Sequence, residues 1–315
     1  MSKWLSIVLP ILCLVTACQP NSGLDTPAEL PRVVVTTPII GSVVAEIGAE
    51  DIHLDVLMPP GSDPHDVIFR PADMALAARA DVLIINGAGL EGNLDRLLSS
   101  VSHPDRIMAL SDAMPLREST CKEDHGHHHD HHHHHHGDAD PHFWMDPHNV
   151  MIWADTIAEA LSQARPDRSE AFVQRAADYQ AALHELDEWI TEQAAQIPSA
   201  QRVLVTDHKS MGYFAARYGF EQVGVIIPSF DTASQPAARG LAHLLDQIDA
   251  HQVPAIFVGE SGNKTVAGQL ARDAGVPLVV LPLESLTDSD GPAPDYLSYM
   301  RHNIGTMIQH LAAAN

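Results

Sequence analysis

Three histidines and one glutamate, far apart in the sequence, each lie where a predicted strand gives way to a loop or a helix. They are His65, His142, His208 and Glu284. Three imidazoles and one carboxylate suit a four-coordinate Zn²⁺ ion, which takes nitrogen and oxygen ligands in a tetrahedral arrangement. None of these residues is spaced four positions from another, so one helix cannot present two of them. The residue types therefore predict a divalent metal site that exists only in the folded chain.

A second concentration of imidazoles lies between the first two of these histidines. Residues 122–139 are too polar for a packed core, and their histidine run is broken by Gly126 and Asp130. Near neutral pH most of these imidazoles are unprotonated and free to bind metal. We expect an auxiliary loop that captures metal weakly at several positions: His125, His127, His128, His129, His131, His132, His133, His134, His135 and His136.

The composition narrows the functional class. The chain has 315 residues, 45% of them hydrophobic, and a formal net charge of −23 with histidine neutral. This content supports a folded core and two lobes of ordinary size. Nucleic-acid binding requires a basic surface, so we expect no nucleic-acid partner.

The first 18 residues have the features of an export signal. Lys3 precedes an apolar run that is shorter than the roughly 20 residues needed to span a bilayer. The run ends in residues 14–18 (LVTAC), which is typical of a bacterial lipoprotein signal with Cys18 as the lipidated residue; the alternative is a plain signal peptide cut near Ala17. Polar, proline-rich residues 19–31 read as a tether. We expect a protein anchored by lipid in the periplasm or on the outer face of the cell membrane.

The elements that must position the four metal-site candidates alternate between strand and helix. This alternation predicts an α/β fold with mainly parallel, Rossmann-like sheets. An N-terminal lobe (32–165) and a C-terminal lobe (199–315) are separated by one long linking helix (166–198). Ligands of open parallel sheets bind beyond the carboxyl ends of the strands, so we place the metal site in the cleft between the lobes. Apolar residues form a single stripe on the linking helix, at Phe172, Ala176, Tyr179, Leu183, Leu186 and Ile190.

Three motifs resemble one known family. They are residues 59–65 (PPGSDPH), 140–147 (DPHFWMDP) and 207–214 (DHKSMGYF), and residues 86–91 (NGAGLE) also match. The chain is similar to the metal-binding, substrate-binding lipoproteins of ABC importers, and nearest to the zinc-uptake (ZnuA-like) branch. The resemblance implies two α/β lobes joined by a long helix, a metal ion carried between them as cargo, and a membrane permease and an ATPase as partners. It implies a monomeric binding protein and no enzyme activity.

The same resemblance assigns the candidate ligands. His65, His142 and His208 take the three imidazole positions, and Glu284 lies where some relatives place an aspartate ligand. Glutamate is one methylene longer, so water or a loop carboxylate remains open as the fourth ligand. Manganese-binding relatives tend to have a carboxylate where this chain has His208. Because imidazole suits zinc and carboxylate-rich sites suit manganese, Zn²⁺ is the expected cargo. The alternatives are a manganese or iron importer component and, less favoured, a zinc-dependent hydrolase with Glu260 or Glu284 as base.

Carboxylates near the histidines are candidates for orienting the rings. We expect Asp63, Asp146 and Asp207 to accept hydrogen bonds from the imidazoles or to cap local turns, with capping the stronger expectation for Asp146. Residues 87–92 (GAGLEG) spell the glycine pattern of nucleotide-binding loops, but they follow the third predicted strand of an exported chain. We attribute these glycines to close packing of a helix on a strand.

Overall fold

Within the residues that the structure describes, two parallel sheets of four strands form the two lobes. The computed structural model describes residues 29–117, 139–230, 232 and 236–312. The first sheet contains β1 (Arg32–Val35), β2 (His53–Val56), β3 (Val82–Ile85) and β4 (Ile107–Ala109), in the order β2-β1-β3-β4. The second contains β5 (Val203–Thr206), β6 (Glu221–Val225), β7 (Ile256–Gly259) and β8 (Leu278–Leu281), in the order β6-β5-β7-β8. The predicted α/β class is confirmed.

Nine helices surround these sheets in the described part of the chain. They are α1 (Pro38–Gly48), α2 (Pro71–Ala77), α3 (Leu94–Leu98), α4 (Pro147–Ala164), α5 (Ser169–Ala195), α6 (Gly212–Tyr218), α7 (Ala238–Ala250), α8 (Lys264–Ala274) and α9 (Tyr296–Ala312). Within the described ranges, no helix is both long and apolar enough to cross a bilayer. The predicted signal with Cys18, most of the tether, and the histidine-rich segment up to residue 138 lie outside the described residues.

Local sequence signals set several helix ends. Thr37 Oγ1 accepts a hydrogen bond from Ile40 N and caps α1, whose first residue is a proline. Gly219 and Gly275 end α6 and α8 in the left-handed conformation. The short helix α3 starts only after Asn93, which has a φ of 56° in the left-handed region.

The long helix α5 runs between the lobes. Its buried residues include every member of the predicted apolar stripe and, in addition, Ala194. With 27 residues it is about 40 Å long. It packs against α1 and α4 and also against α6 and α9. The helix therefore acts as a spine that supports both lobes.

One hydrophobic core extends through both lobes and the spine. It includes Val33 of β1, Leu183 of α5, Phe257 of β7 and Ile304 of α9, all fully buried. The last helix α9 returns to pack against α1 and α5. Wide separation of the lobes would expose this shared apolar surface to water, at roughly 25 cal/mol per Å². The fold therefore favours small relative movements of the lobes. The lobe boundaries near residues 165 and 199 remain predictions.

Replacing Leu183 by alanine is expected to lower the free energy of unfolding by about 2–5 kcal/mol, since the side chain is 0% exposed in the shared core. The matched control is Val173→Ala on the same helix, where the side chain is 58% exposed and a change of about 0.5 kcal/mol or less is expected. Denaturant titration followed by circular dichroism measures both. If the free energy of unfolding falls by the same amount in both variants, the role of α5 as a spine is contradicted.

Candidate metal centre

His65 lies at the end of the loop that follows β2, and its backbone is held on both sides. Asp63 Oδ1 accepts a hydrogen bond from His65 N at 2.9 Å. The carbonyl oxygen of Pro64 accepts one from Gly92 N at 3.0 Å. The His65 side chain is 1% exposed, yet its Nδ1 atom has no hydrogen-bond partner among the described residues. The position of this ring therefore depends on the backbone around it.

His142 lies between β4 and α4 and is completely buried. Asp140 Oδ1 accepts from the backbone N of His142 at 3.0 Å and contacts its ring Nδ1 at 2.9 Å. Asn86 Nδ2 donates to the carbonyl oxygen of Pro141 at 3.1 Å. One carboxylate thus fixes both the backbone and the ring of this histidine.

His208 follows β5 directly and has the same kind of support. Asp207 Oδ1 accepts from His208 N at 2.9 Å and lies 3.0 Å from the ring Nδ1. The other oxygen of Asp207 accepts from Gly259 N at 2.8 Å, at the end of the neighbouring strand β7. The Asp207 carboxylate therefore links the His208 ring to the carboxyl end of β7 in the second sheet.

Glu284 follows β8 and is held by helix α9. Tyr299 donates its hydroxyl hydrogen to the Leu283 carbonyl oxygen, and Asn303 Nδ2 donates to the Pro282 carbonyl oxygen at 3.1 Å. Glu284 is 5% exposed, and neither of its carboxylate oxygens has a hydrogen-bond donor within the described part of the chain. A buried carboxylate without a donor is costly unless a cation or a proton compensates it.

The four side chains meet at one point between the lobes. One potential ligand atom from each of His65, His142, His208 and Glu284 lies within 4.8 Å of all the others. The Nε2 atom of His142 is 3.1 Å from that of His65 and 3.3 Å from that of His208. The Glu284 oxygens approach the three Nε2 atoms to 3.4–3.8 Å. Metal–nitrogen bonds of 2.0–2.1 Å in a tetrahedron place ligand atoms about 3.3 Å apart, so these spacings suit one small cation.

Proton positions support the same interpretation. When Asp140 and Asp207 are charged, the ring Nδ1 atoms of His142 and His208 donate to them. In the neutral rings each Nε2 atom then carries a lone pair, and the Nε2 atoms of His142 and His208 lie 3.3 Å apart. Two acceptors at this distance repel each other unless a proton or a metal ion lies between them.

Burial controls the titration of the centre. Loss of water raises the pKa of Glu284 to about 8 and lowers the pKa of His65 to about 2. Burial works to lower the pKa of His208, but the carboxylates of Glu284 and Asp207 outweigh it and raise this pKa to about 9. Near neutral pH the metal-free centre therefore carries protons on both Glu284 and His208, which a cation must displace.

The structure brings together the four candidate ligands but distributes the three candidate carboxylates differently. Asp207 contacts an imidazole ring, as described above. Asp63 holds only the backbone of His65, and its second oxygen accepts from Thr232 Oγ1 at 2.7 Å. Asp146 does not contact a candidate ligand: it caps α4 by accepting from His148 N and pairs with Arg217 at 3.1 Å. Capping, the stronger expectation for Asp146, agrees with this geometry, and the orienting role also considered for it does not.

The sequence interpretation missed Asp140, which holds the ring of His142. A signal for it was present, because an aspartate precedes each candidate histidine by one or two positions: Asp63, Asp140 and Asp207. A short Asp-x-His turn lets one carboxylate oxygen reach the histidine backbone N–H, and at His142 the ring as well. His148, six residues after His142, is exposed and lies in α4 outside the centre.

Comparisons with known proteins agree on fold and family. A family model described as the periplasmic zinc-uptake complex component A matches residues 33–310. The chain is 30% identical to the manganese-binding lipoprotein MntA of Halalkalibacterium halodurans, over 98% of both proteins. It is 27% identical to the iron-binding protein YfeA of Yersinia pestis, over 93% of this chain and 90% of that protein. The solved structure of the periplasmic zinc-binding protein TroA from Treponema pallidum is similar with a TM-score of 0.79 and 29% identity, covering 90% of this chain and 100% of that one.

Cation binding to this centre is expected to release protons at pH 7, because the pKa values of Glu284 and His208 are raised to about 8 and about 9 in the metal-free protein. Affinity should fall by about one log unit per pH unit for each displaced proton as the pH drops from 8 to 6. Calorimetric titration in buffers of different ionisation enthalpy measures the number of protons released. An affinity that stays constant over this range would contradict the proposed titration.

Proposed function

From the premise that this chain belongs to the family of periplasmic zinc-uptake complex component A proteins, we propose that it binds Zn²⁺ with high affinity outside the cytoplasm and delivers it to an ABC-type importer. The chain is the metal-binding component of such an importer and not an enzyme. The zinc-dependent hydrolase considered from the sequence is therefore set aside.

The observation that carries the proposal is the convergence of three imidazole nitrogens and one unpaired carboxylate in a buried pocket. In the proposal His65, His142, His208 and Glu284 are the four ligands of the transported ion. Nanomolar capture requires about −12 kcal/mol of binding free energy. Rings that are already fixed by Asp140 and Asp207 lose little freedom on binding, which favours high affinity.

Zinc is the cargo that this ligand set favours. Three imidazoles with a single carboxylate suit zinc, whereas manganese prefers oxygen-rich sites with more ligands. The nitrogen spacings of 3.1 and 3.3 Å also match the edges of a zinc tetrahedron. The alternative is a manganese or iron cargo, which relatives named for these metals support. Titration of the protein with zinc in competition with manganese or iron decides between these cargoes.

Delivery requires the protein to stay close to its importer. We propose that Cys18 carries a lipid that anchors a monomeric binding protein in the periplasm or on the outer face of the membrane. Relatives named as lipoproteins support this location. The partners in the proposal are the membrane permease and the ATPase of the importer.

The histidine-rich segment is proposed as an auxiliary capture device beside the main centre. Asp140 N donates to the Arg117 carbonyl oxygen at 2.9 Å, so the two described ends of the segment lie together. Asp140 also holds His142. Metal gathered by residues 125–136 is therefore concentrated within reach of the buried centre, in the manner of a second binding site on a short tether.

Removing one of the proposed ligands should weaken zinc binding strongly. We expect His65→Ala and Glu284→Ala each to raise the Kd for Zn²⁺ by more than about a hundredfold, which exceeds the usual effect of losing a supporting residue. Isothermal titration of metal-free protein with Zn²⁺ and Mn²⁺ measures both affinities.

The matched control is His148→Ala, which removes an exposed imidazole close in sequence to the centre. Its affinity for zinc should equal that of the unchanged protein. A wild-type protein that prefers Mn²⁺ would refute the zinc assignment, and unchanged zinc affinity in Glu284→Ala would leave water or another carboxylate as the fourth ligand.

Deleting residues 122–138 should lower the number of zinc ions bound per chain without changing the Kd of the tightest site. In cells, zinc uptake by this variant should fall only when zinc is scarce, because the auxiliary sites matter only when capture limits transport. Zinc titration and growth under chelation test this. Unchanged stoichiometry and unchanged uptake under every condition would exclude the auxiliary role.

A further inference from the structure

The turn between β3 and α3 contacts both histidine segments of the N-terminal lobe. This bracket turn, residues 86–92 (NGAGLEG), supplies two hydrogen bonds. Gly92 N donates to Pro64 O at 3.0 Å, and Asn86 Nδ2 donates to Pro141 O at 3.1 Å. Each acceptor carbonyl belongs to the residue immediately before a candidate ligand. The bracket turn thus joins the two backbones that carry His65 and His142.

A buried carboxylate shapes the bracket turn. Glu91 is 4% exposed, and its Oε1 atom accepts from Asn86 N and from Thr36 Oγ1, both at 2.7 Å. Its Oε2 atom accepts from Gly87 N at 3.1 Å. Satisfying the carboxylate in this way offsets the cost of burying it. Glu91 therefore fixes the first half of the turn against the end of β1.

The backbone of the bracket turn follows a path that few residues adopt. Gly87, Ala88 and Gly89 have φ angles of 78°, 53° and 77°. Left-handed conformations are unfavourable for alanine and free for glycine, so the Glu91 hydrogen bonds hold a locally strained segment.

Gly92 has a different reason to be glycine. A Cβ atom at this position would lie 2.3 Å from the His65 carbonyl oxygen, which is closer than any contact allows. The nucleotide-like glycine pattern is thus explained by backbone conformation and close approach to a histidine segment, and not by the helix–strand packing expected from the sequence.

His65 depends on this support more than the other two histidines do. The rings of His142 and His208 are each fixed by an aspartate, whereas His65 Nδ1 has no partner in the described ranges. The distance of 3.1 Å between the Nε2 atoms of His65 and His142 is also shorter than the 3.3 Å between those of His142 and His208. Backbone support is what remains to maintain it when no cation is bound.

We propose that the bracket turn sets the distance between His65 and His142 and thereby selects a small tetrahedral cation, with Asn86, Glu91 and Gly92 as positioning residues. The inference rests on the proposed function, because it acts on the same centre. Loosening the turn lets the two rings separate. A wider centre favours larger cations that accept more ligands over Zn²⁺.

Three substitutions test the bracket turn. Glu91→Gln replaces one acceptor with an amide that faces an N–H group; Asn86→Ala removes the donor to Pro141; Gly92→Ala forces a Cβ atom against His65. The Kd for Zn²⁺ should rise about 10–100-fold in each, as for other residues that support metal ligands. The Kd for Mn²⁺ should change less, so that the ratio of manganese to zinc Kd falls about tenfold. The visible absorption of bound Co²⁺, which is intense only in tetrahedral sites, should weaken.

A matched control separates positioning from general stability. Leu97→Ala opens a cavity in α3 of the same lobe, in an apolar cluster that contains no residue of the bracket turn. It should lower the thermal midpoint while leaving the Co²⁺ spectrum and the ratio of metal affinities unchanged. Thr36→Val removes one donor to Glu91 and should shift the Co²⁺ spectrum mildly. Thr36→Ser keeps the hydroxyl and should have the wild-type spectrum.

Two outcomes would overturn the inference. One is that the three variants keep the wild-type Co²⁺ spectrum and affinity ratio. The other is that Leu97→Ala alters both as much as they do. If one of the three variants fails to fold, the Co²⁺ spectra of Thr36→Val and Thr36→Ser test the inference instead. A wild-type protein that prefers Mn²⁺ refutes the zinc proposal separately, and a spectrum that changes in the bracket variants still supports a positioning role.

Discussion

The structure depends on an electrostatic conflict at the junction of the lobes. A carboxylate and three converging imidazoles are buried at one point, where water cannot solvate them. Neither Glu284 oxygen has a hydrogen-bond donor among the described residues. A divalent cation resolves the conflict, because it attracts all four groups at once. Without it the centre takes up protons instead, as the raised pKa values of Glu284 and His208 indicate.

Holding such a centre together requires a scaffold that resists relaxation. The shared apolar core, with α5 through its middle and α9 returning to the first lobe, provides this resistance. Because the lobes share one core, they cannot move apart to relieve the repulsion without exposing apolar surface. Helix α9 also connects this scaffold to the ligands, since Tyr299 and Asn303 hold the two carbonyls before Glu284. The stability of the fold is thus used to keep the ligands close together.

The ligands are supported in different ways. Two rings are fixed by adjacent aspartates, and Glu284 is placed by α9 through its backbone. His65 has neither kind of support, and in our proposal the bracket turn supports its backbone instead. The loop that carries His65 also contacts the other lobe, where Gly61 N donates to Leu286 O at 3.0 Å.

Local patterns in the sequence were enough to predict the elements and the residue types of the candidate ligands. Strand and helix alternation and the stripe on α5 depend on neighbours within a few residues, and both agree with the structure. The folded chain decided which carboxylate contacts which ring: Asp140 rather than Asp146 contacts His142, although both lie within four residues of it. It also decided that a glycine pattern typical of nucleotide loops supports two histidine segments, because Pro64 and Pro141 come within hydrogen-bond distance of residues 86–92 only after the chain has folded. Preferences for helix or strand depend on short windows of sequence, whereas contacts between distant segments depend on how the whole core packs.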